Sequence, residues 1–220
     1  RDVIADIKSF KPTKFFDLGC GEGFIARQTD SAWVEYHGFD NSRDQLTNAE
    51  KLKGAESTFH LLDLNNTNEA YQIIKSLKGK SERCCMIGIF SISYLTVDAA
   101  TNLIKAIWNI QTPGDSGIFT LPHPLVTSGG LFDNQLFHWD KVEYFASDQF
   151  VYGAMEGVNG ARVRVGCFHK TIEDIFQIFQ PVLTADSLAI QELKLDKGSC
   201  PQKFESMLDR PLHIKIKWTK

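Results

Sequence analysis

One stretch of the chain decides the fold: Phe15-Phe16-Asp17-Leu18-Gly19-Cys20-Gly21-Glu22-Gly23-Phe24. Its apolar start predicts a strand that ends in an acidic residue, its glycines predict a tight loop, and a helix is predicted from Gly23 onward. This order is typical of a nucleotide-binding unit in an open α/β sheet. The glycines are spaced G-x-G-x-G, whereas the dinucleotide fingerprint is G-x-G-x-x-G. The third glycine therefore comes one residue early for a dinucleotide site.

Two acidic residues of this stretch, Asp17 and Glu22, indicate which ligand the loop suits. Carboxylates at this place would repel a pyrophosphate, but they would attract a ligand that carries cationic groups and hydroxyls. S-adenosylmethionine, with its ammonium, sulfonium and ribose, is a ligand of that kind. The loop therefore favours a sulfonium cofactor over a dinucleotide.

Apolar runs and helical patterns alternate along the first two thirds of the chain. Repeated strand–helix–strand units of this kind predict an open, doubly wound, Rossmann-like α/β sheet. Strands are predicted over residues 14–18, 34–39, 58–62, 84–90 and 118–121, and helices over 2–9, 23–31, 42–53, 68–77 and 97–110.

The pattern changes after Pro122. Residues 124–160 are rich in aromatic side chains and show no clear period, and they are too many for a simple loop in a compact domain. We expect a substrate-side insertion here, within a single domain of residues 1–220 whose core comprises 1–123 and 161–220. A strand is predicted over 161–168, a helix over 171–179, and two final strands over 187–195 and 211–218.

Polar and aromatic residues follow the predicted strands at the points where ligands bind in open α/β sheets. Asp17 ends the first strand, Asp40 the second and Asp63 the third, and the segment from Phe90 to Tyr94 follows the fourth. An aspartate after a strand is often only a turn former or a helix cap. Its recurrence at successive strand ends indicates one shared binding site.

At these positions the chain resembles the class I S-adenosylmethionine-dependent methyltransferases that act on small molecules. Residues 17–23 match the family's first motif, and residues 121–124, 168–171 and 210–216 are similar to later segments of such enzymes. The resemblance implies a sheet of about seven strands, mostly parallel with an antiparallel C-terminal strand, and an inserted cap after strand five. It also implies S-adenosylmethionine as the cofactor.

The resemblance implies a role for each strand end. Asp17 and the glycine loop would border the methionine end of the cofactor, Asp40 would hold the ribose hydroxyls, and Asp63 would meet the exocyclic amine of adenine. Phe90 would lie beside the methionine part. The full expected cofactor-binding set is Asp17, Gly19, Cys20, Gly21, Gly23, Phe24, Asp40, Asn41, Asp63, Leu64, Phe90 and Ser91.

Methyl transfer from a sulfonium is an in-line displacement in which the protein mainly supplies alignment and a dry pocket. A hydroxyl or a protonated amine acceptor also needs a base. The candidate bases are His123, which lies between two prolines, and His169, which precedes a predicted helix. Either could instead hydrogen-bond a loop or cap a turn. Tyr94 is expected to act as a lid or a substrate contact. Further expected substrate contacts, which could equally pack the cap, are His138, Trp139 and Tyr152.

Charge, cysteine content and apolar runs limit the partners and the compartment that we expect for the protein. The net charge of −3 and the absence of a long basic run argue against nucleic acid. The five cysteines are odd in number and show no C-x-x-C spacing, so we expect neither a disulfide framework nor a metal site. We therefore expect the protein in a reducing cytoplasm. No apolar run reaches the ~18 residues that span a bilayer, and no signal-peptide pattern is present.

The sequence thus predicts an S-adenosylmethionine-dependent methyltransferase with a small-molecule acceptor, and a peptide or a natural-product intermediate is among the candidates. Oxygen is favoured slightly over nitrogen or carbon as the methylated atom. The segment after strand four is not the Asn/Asp-Pro-Pro-Tyr of enzymes that methylate planar amines on nucleic acids. Two alternatives stay open: an NAD(P)-dependent Rossmann oxidoreductase, and a non-catalytic interaction protein with the methyltransferase fold.

Overall fold

A computed structural model describes residues 2–28, 35–52, 57–79, 83–128, 137–140, 142–156, 162–194 and 210–220. Single turns of 3-10 helix lie at Ser91–Tyr94 and Gln180–Thr184. The other elements are α1 (Asp2–Phe10), β1 (Lys14–Leu18), α2 (Phe24–Gln28), β2 (Glu35–Asp40), α3 (Arg43–Leu52), β3 (Ser57–Leu61), α4 (Thr67–Lys78), β4 (Cys84–Ile89), α5 (Val97–Ile110), β5 (Ser116–Pro122), α6 (Pro124–Thr127), β6 (Phe137–Trp139), β7 (Phe150–Glu156), β8 (Arg162–Phe168), α7 (Ile172–Phe179), β9 (Ser187–Leu193) and β10 (His213–Thr219).

Seven strands form one sheet in the order β3-β2-β1-β4-β5-β10-β9. The first five are mutually parallel, whereas β10 runs antiparallel to both β5 and β9. The predicted Rossmann-like sheet with an antiparallel C-terminal strand is confirmed. The strand order reverses between β1 and β4, so the crevice for a ligand lies outside the carboxyl ends of these two strands.

Helices cover both faces of this sheet. On one face α1 and α2 contribute Ile7 and Ile25 to a cluster with Phe15 and Ile87. On the other face α4, α5 and α7 pack on a larger cluster around Phe119. Side chains of β1 and β4 are almost all buried, as expected for central parallel strands covered on both sides. The core therefore fixes the relative positions of the strand ends that form the site.

A second, three-stranded antiparallel sheet follows β5, in the order β6-β7-β8. The strand predicted at 161–168 exists from Arg162, but it pairs with β7 rather than with the main sheet. β8 therefore belongs to the second sheet, although the sequence analysis grouped residues 161–168 with the core. An apolar strand pattern predicts that a segment pairs with another strand, but it does not identify that strand.

Buried polar contacts fasten this second sheet to the main one. Lys170, which follows β8, donates from Nζ to the carbonyl of Leu95 and to Asp148, at 2.7 Å in each case. Asp148 in turn accepts from the backbone amide of Val97 at the start of α5. The loop after β4 is thus held between the two sheets. Among the described helices none is long and apolar enough to cross a membrane.

Predicted element boundaries agree with the structure to within a few residues. The helix predicted at 23–31 begins at Phe24, and its residues after Gln28 lie outside the described part. Three end residues of other predicted elements also lie outside it: residue 34 of the second strand, residue 53 of the helix at 42–53, and residue 195 of the strand at 187–195. The strand at 118–121 is longer than predicted because Ser116 and Gly117 pair with both β4 and β10.

Candidate active site

A cavity of about 470 Å³ opens at the carboxyl ends of the parallel strands. Its position is the crevice that the strand order predicts, and its volume lies in the range of ligand pockets. The wall contains two carboxylates, whereas the described residues that line it include no lysine or arginine. The lining residues are Gly19, Gly21, Asp40, Asn41, Gln45, Leu62, Asp63, Leu64, Asn65, Ile89, Phe90, Ser91, Tyr94 and Leu95.

The glycine loop forms one wall, and its backbone amides are used within the protein. The amides of Gly19 and Cys20 both donate to the carbonyl of Phe39, at 2.7 and 2.9 Å. The amide of Gly21 donates to Oδ2 of Asp40 at 2.9 Å. A loop that binds pyrophosphate needs free amides aimed at the ligand. This loop instead binds the end of β2 and places a carboxylate at the cavity.

Gly19 and Gly21 allow the loop to lie close to the cavity. Gly19 has φ +78°, and a Cβ built on it would be 2.5 Å from the Cβ of Ser91. Only glycine satisfies both the backbone and this contact. Gly21 has φ +52°, and a Cβ there would be 3.7 Å from Gln45 Oε1, which lines the cavity. A side chain at Gly21 would therefore extend towards the space that a ligand would occupy.

Asp40 and Asp63 are held in place on neighbouring strand ends. Asp40 ends β2, and its Oδ1 accepts from the amide of Ser42 at 2.9 Å while Oδ2 accepts from Gly21. Asp63 follows β3, and its Oδ1 accepts from the amide and the side chain of Asn65 at 2.9 and 3.0 Å. A carboxylate has about four lone-pair sites, so each retains capacity for a ligand. Hydroxyls and amines are the groups that such acceptors bind.

Four residues of the expected cofactor set do not line the cavity. Asp17 is buried beneath the loop, where Tyr36 Oη donates to its Oδ2 at 2.5 Å. Burial raises the pKa of Asp17 from 3.8 to about 7, although the hydrogen bond from Tyr36 acts in the opposite direction and lowers the pKa. Cys20 is buried, Gly23 packs against the ring of Phe59, and Phe24 on α2 is 60% exposed. Their binding roles stay predictions.

Phe90 marks the end of β4 with an unusual backbone. Its φ is +62°, which is rare for a bulky residue and is typical of functional segments. The neighbouring Ser91 lines the cavity, and its buried hydroxyl has no hydrogen-bond partner among the described residues. Phe90 and Tyr94 also line a second, more apolar pocket of about 210 Å³ beside the first. Its other lining residues are Ser93, Pro122, Val126, Val165, Gly166, Cys167, Leu212 and His213.

His213 was given no role in the sequence analysis, yet it lies in this second pocket. It is the first residue of β10, whose antiparallel direction brings it beside Pro122 at the carboxyl edge of the parallel strands. Its ring contacts Phe90 edge to face, with centroids 4.7 Å apart. Burial lowers the pKa of His213 from 6.5 to about 4, so the imidazole is neutral at pH 7. The predicted antiparallel last strand was the available signal for its position.

The two histidines predicted as bases are both buried and fully hydrogen-bonded. Nδ1 of His123 accepts from the amide of Leu125 at 3.2 Å, so its Nε2 donates to Glu192 at 3.0 Å. Nε2 of His169 donates to the carbonyl of Tyr144, and Nδ1 then accepts from Thr127, both at 2.7 Å. Neither histidine lines either pocket. These bonds fit the alternative of loop fixation better than a role as a base.

The expected substrate contacts are distributed differently. Tyr94 lines both pockets. Tyr152 lines neither; it packs against Phe150, and the guanidinium of Arg164 lies 3.9 Å from its ring centroid. The side chains of His138 and Trp139 lie outside the described part of the structure, although their backbone forms β6. Within the described ranges, no group of three histidine, cysteine or acidic side chains could hold a metal ion.

Sequence comparisons give no relative, because no family model and no curated protein matches the chain. Solved structures do match over nearly the whole length. One is an S-adenosylmethionine-dependent methyltransferase of Mesorhizobium loti, with a TM-score of 0.66, 14% identity, and coverage of 100% of this chain and 96% of that one. Another, from Clostridium acetobutylicum, has a TM-score of 0.61 at 16% identity and covers 99% and 88%.

A third similar structure is the magnesium protoporphyrin IX methyltransferase of Synechocystis, which contains bound S-adenosylhomocysteine. It has a TM-score of 0.55 at 13% identity and covers 100% of this chain and 80% of that one. At these identities the similarity describes the architecture. The chain has the fold of the class I S-adenosylmethionine-dependent methyltransferases.

Proposed function

We propose that the protein is an S-adenosylmethionine-dependent methyltransferase that acts on a small molecule. The observation that carries the proposal is the charge of the cavity: Asp40 and Asp63 line it at successive strand ends, and no lysine or arginine does so among the described residues. Such a wall suits a cationic ligand with hydroxyls and an amine. The methyltransferase neighbours share the architecture that places this cavity.

The proposal assigns a part of the cofactor to each strand end. Asp40 accepts hydrogen bonds from the ribose hydroxyls, since its two oxygens are already oriented by backbone amides. Asp63 accepts from the adenine amine, and Leu64 packs against the base. Gly19 and Ser91 border the methionine end. The cofactor supplies a methyl group on a sulfonium, which needs no further activation to be transferred.

The chain's own contribution to the reaction is alignment and exclusion of water. The second pocket shares Phe90 and Tyr94 with the first, so a molecule bound there touches the wall of the cofactor cavity. Its volume of about 210 Å³ supports a small acceptor, or a small part of a larger one. Oxygen stays the favoured methylated atom, ahead of nitrogen or carbon.

Neither His123 nor His169 is assigned a chemical step in this proposal. Each has both ring nitrogens engaged by the protein, and neither borders the pockets. The buried free thiols Cys84 and Cys85 fit a reducing compartment, and we propose a cytoplasmic location on that basis.

The main rival is an NAD(P)-dependent oxidoreductase. A dinucleotide would need loop amides that here are bonded to Phe39 and Asp40. The chain does contain a Tyr-x-x-x-Lys spacing of the dehydrogenase kind, from Tyr71 to Lys75. These two side chains contact each other on α4, and Tyr71 lines a separate polar groove rather than the cavity. The rival therefore has no support from the geometry of the loop.

Transfer of a tritiated methyl group tests the proposal. The purified chain is incubated with methyl-tritiated S-adenosylmethionine and pools of small alcohols, phenols, amines and carboxylic acids, with an Asp40→Ala, Asp63→Ala double variant as the control. We expect label in an organic-soluble product with the wild type and none with the control. Binding of NADH without binding of S-adenosylhomocysteine, measured by calorimetry, would overturn the proposal.

A further inference from the structure

We propose that His213 accepts a hydrogen bond from the methyl acceptor, and that this acceptor is a neutral, largely apolar molecule bearing a hydroxyl or an amine. The inference rests on the proposed function and assigns the second pocket to the acceptor. It differs from the sequence prediction, which placed this task on His123 or His169.

The wall of the second pocket determines the class of acceptor. Phe90, Pro122, Val126, Val165 and Leu212 supply most of it, and none of its described lining residues is aspartate, glutamate, lysine or arginine. A charged acceptor would lose its hydration there without gaining a partner of opposite charge. A neutral acceptor with a flat or branched apolar body gains free energy by burial instead.

Polar groups without partners indicate where the acceptor's polar atom binds. The imidazole of His213 makes no hydrogen bond within the described part of the chain, although burial keeps it neutral. The ring of His213 is partly buried, whereas Ser93 Oγ, on the same pocket wall, is fully buried without a partner among the described residues. Buried polar atoms are normally hydrogen-bonded, so the Ser93 hydroxyl, in the same pocket as an imidazole with no partner among the described residues, indicates a polar group of a ligand.

The position of His213 fits contact with the reacting atom. Its ring lies against Phe90, which also lines the cofactor cavity, so the acceptor atom that it binds is at the boundary between the two pockets. Tyr94 and Cys167 are the other titratable side chains among the pocket's described residues, and burial raises the pKa of both. Both are therefore neutral at pH 7, as is His213.

The neutral imidazole acts in two ways. Before transfer, one ring nitrogen of His213 accepts a hydrogen bond from the O–H or N–H of the substrate. This bond orients the substrate so that a lone pair on its oxygen or nitrogen points at the methyl group. During transfer the oxygen–methyl bond forms as the sulfur–methyl bond breaks, and the sulfur keeps the bonding pair. The acceptor proton passes to His213 and then to water. A methylated oxonium is a far stronger acid than an imidazolium, so a base of low pKa is sufficient.

A pair of probes that differ by one hydrogen-bond donor tests the inference. 1-Naphthol and its methyl ether, 1-methoxynaphthalene, are titrated by fluorescence, with and without saturating S-adenosylhomocysteine. The variants are His213→Phe, which removes the ring nitrogens at similar volume, and His213→Asn, which keeps a hydrogen-bond acceptor. His60→Phe is the matched control, because His60 is partly buried on β3 and lines neither pocket.

We expect wild type and His60→Phe to bind the naphthol about 5-fold more tightly than the ether, as one net hydrogen bond predicts. His213→Phe should bind the two probes equally, and His213→Asn should recover part of the preference. All variants should bind S-adenosylhomocysteine within about twofold of wild type, since His213 does not line that cavity.

Two results would overturn the inference: a preference for the naphthol that survives in His213→Phe while the fold is intact by thermal melting, or no binding of either probe. If the wild type fails to bind S-adenosylhomocysteine, the proposed cofactor is wrong. The titrations without it then still decide whether His213 binds the hydroxyl, so the two failures are distinguishable.

Discussion

Replacing Asp40 by Asn is the sharpest single test of the cofactor assignment. The two oxygens of Asp40 accept from the amides of Gly21 and Ser42, both at 2.9 Å. An asparagine amide can accept only one of these bonds, and its NH₂ group then faces the other N–H. The substitution also removes the negative charge that we assign to the ribose hydroxyls. A hydrogen bond to a charged group contributes about 1.5–3 kcal/mol.

We therefore expect the Kd for S-adenosylhomocysteine to rise about 10- to 150-fold in Asp40→Asn, as isothermal titration calorimetry would show. The matched control is Asp44→Asn, which makes the same change of charge at an exposed position of α3 that does not line the cavity. The control should bind within about twofold of wild type. An analogue that lacks the ribose 2′-hydroxyl should lose less affinity for the variant than for wild type.

The assignment of Asp40 to the ribose would be wrong if Asp40→Asn bound S-adenosylhomocysteine like wild type while keeping its melting temperature. A loss of affinity shared equally by the intact and the deoxyribose ligands would also count against it. Such a result would mean that Asp40 stabilises the loop rather than the ribose.

Three further predictions concern the loop and the core. The buried Asp17 carboxyl, with its pKa of about 7, keeps a proton that the unfolded chain releases, so the wild type loses stability as pH rises from 4 to 7. Asp17→Asn has no such proton and should gain on the order of 3 kcal/mol in the free energy of unfolding relative to wild type over this range. Urea unfolding at several pH values measures the difference. Gly19→Ala should lower the free energy of unfolding by about 2 kcal/mol, because its positive φ strains the backbone and its Cβ would clash with Ser91. Gly21→Ala is also strained by a positive φ, but its Cβ would make only an ordinary contact, so it should lower the free energy of unfolding less and also weaken calorimetric binding of S-adenosylhomocysteine. Lys78→Met should cost about 3 kcal/mol in urea unfolding, because it leaves the buried Asp115, at 3.0 Å from Lys78 Nζ, without its counter-ion.

Each of these has a result that contradicts it. Equal pH dependence of the free energy of unfolding in wild type and Asp17→Asn would mean that Asp17 is ionised when buried. Equal destabilisation in the two glycine variants would remove the contact with Ser91 as the cause. For Lys78, the double variant with Asp115→Asn should recover part of the loss, and a further loss would show that the charge of Asp115 is not the problem.

The parallel half of the fold could be predicted because the residues after each strand mark where that strand ends and the next helix begins. A buried apolar run, a glycine loop or an aspartate and then a helical period occur in order, so the ends of β1, β2 and β3 could be placed together from the chain alone. Asp40 and Asp63 line the cavity for this reason. Side chains that turn away from the ligand, such as Asp17, could not be distinguished, because the sequence does not show which way a buried carboxylate faces.

The substrate side was harder to predict because it depends on pairing between distant segments. β8 has the pattern of a core strand, yet its partner is β7, and Val165 and Cys167 on one of its faces line the second pocket. His123 and His169 have local features that suggest an aimed ring, but Glu192 and Thr127, far away in the sequence, occupy their nitrogens. His213 reaches the site through the antiparallel direction of β10, which the family resemblance predicted but the residues around His213 do not indicate.

Hydrogen–deuterium exchange with and without S-adenosylhomocysteine tests the central claim, that the cavity at the carboxyl edge holds S-adenosylmethionine. We expect slower exchange in residues 18–24, 40–46, 62–66 and 89–95, the segments that contain the residues lining the cavity, and no change in the polar groove at residues 102–109. NADH at the same concentration should change nothing. Protection confined to other segments, or the same protection with NADH, would contradict the account.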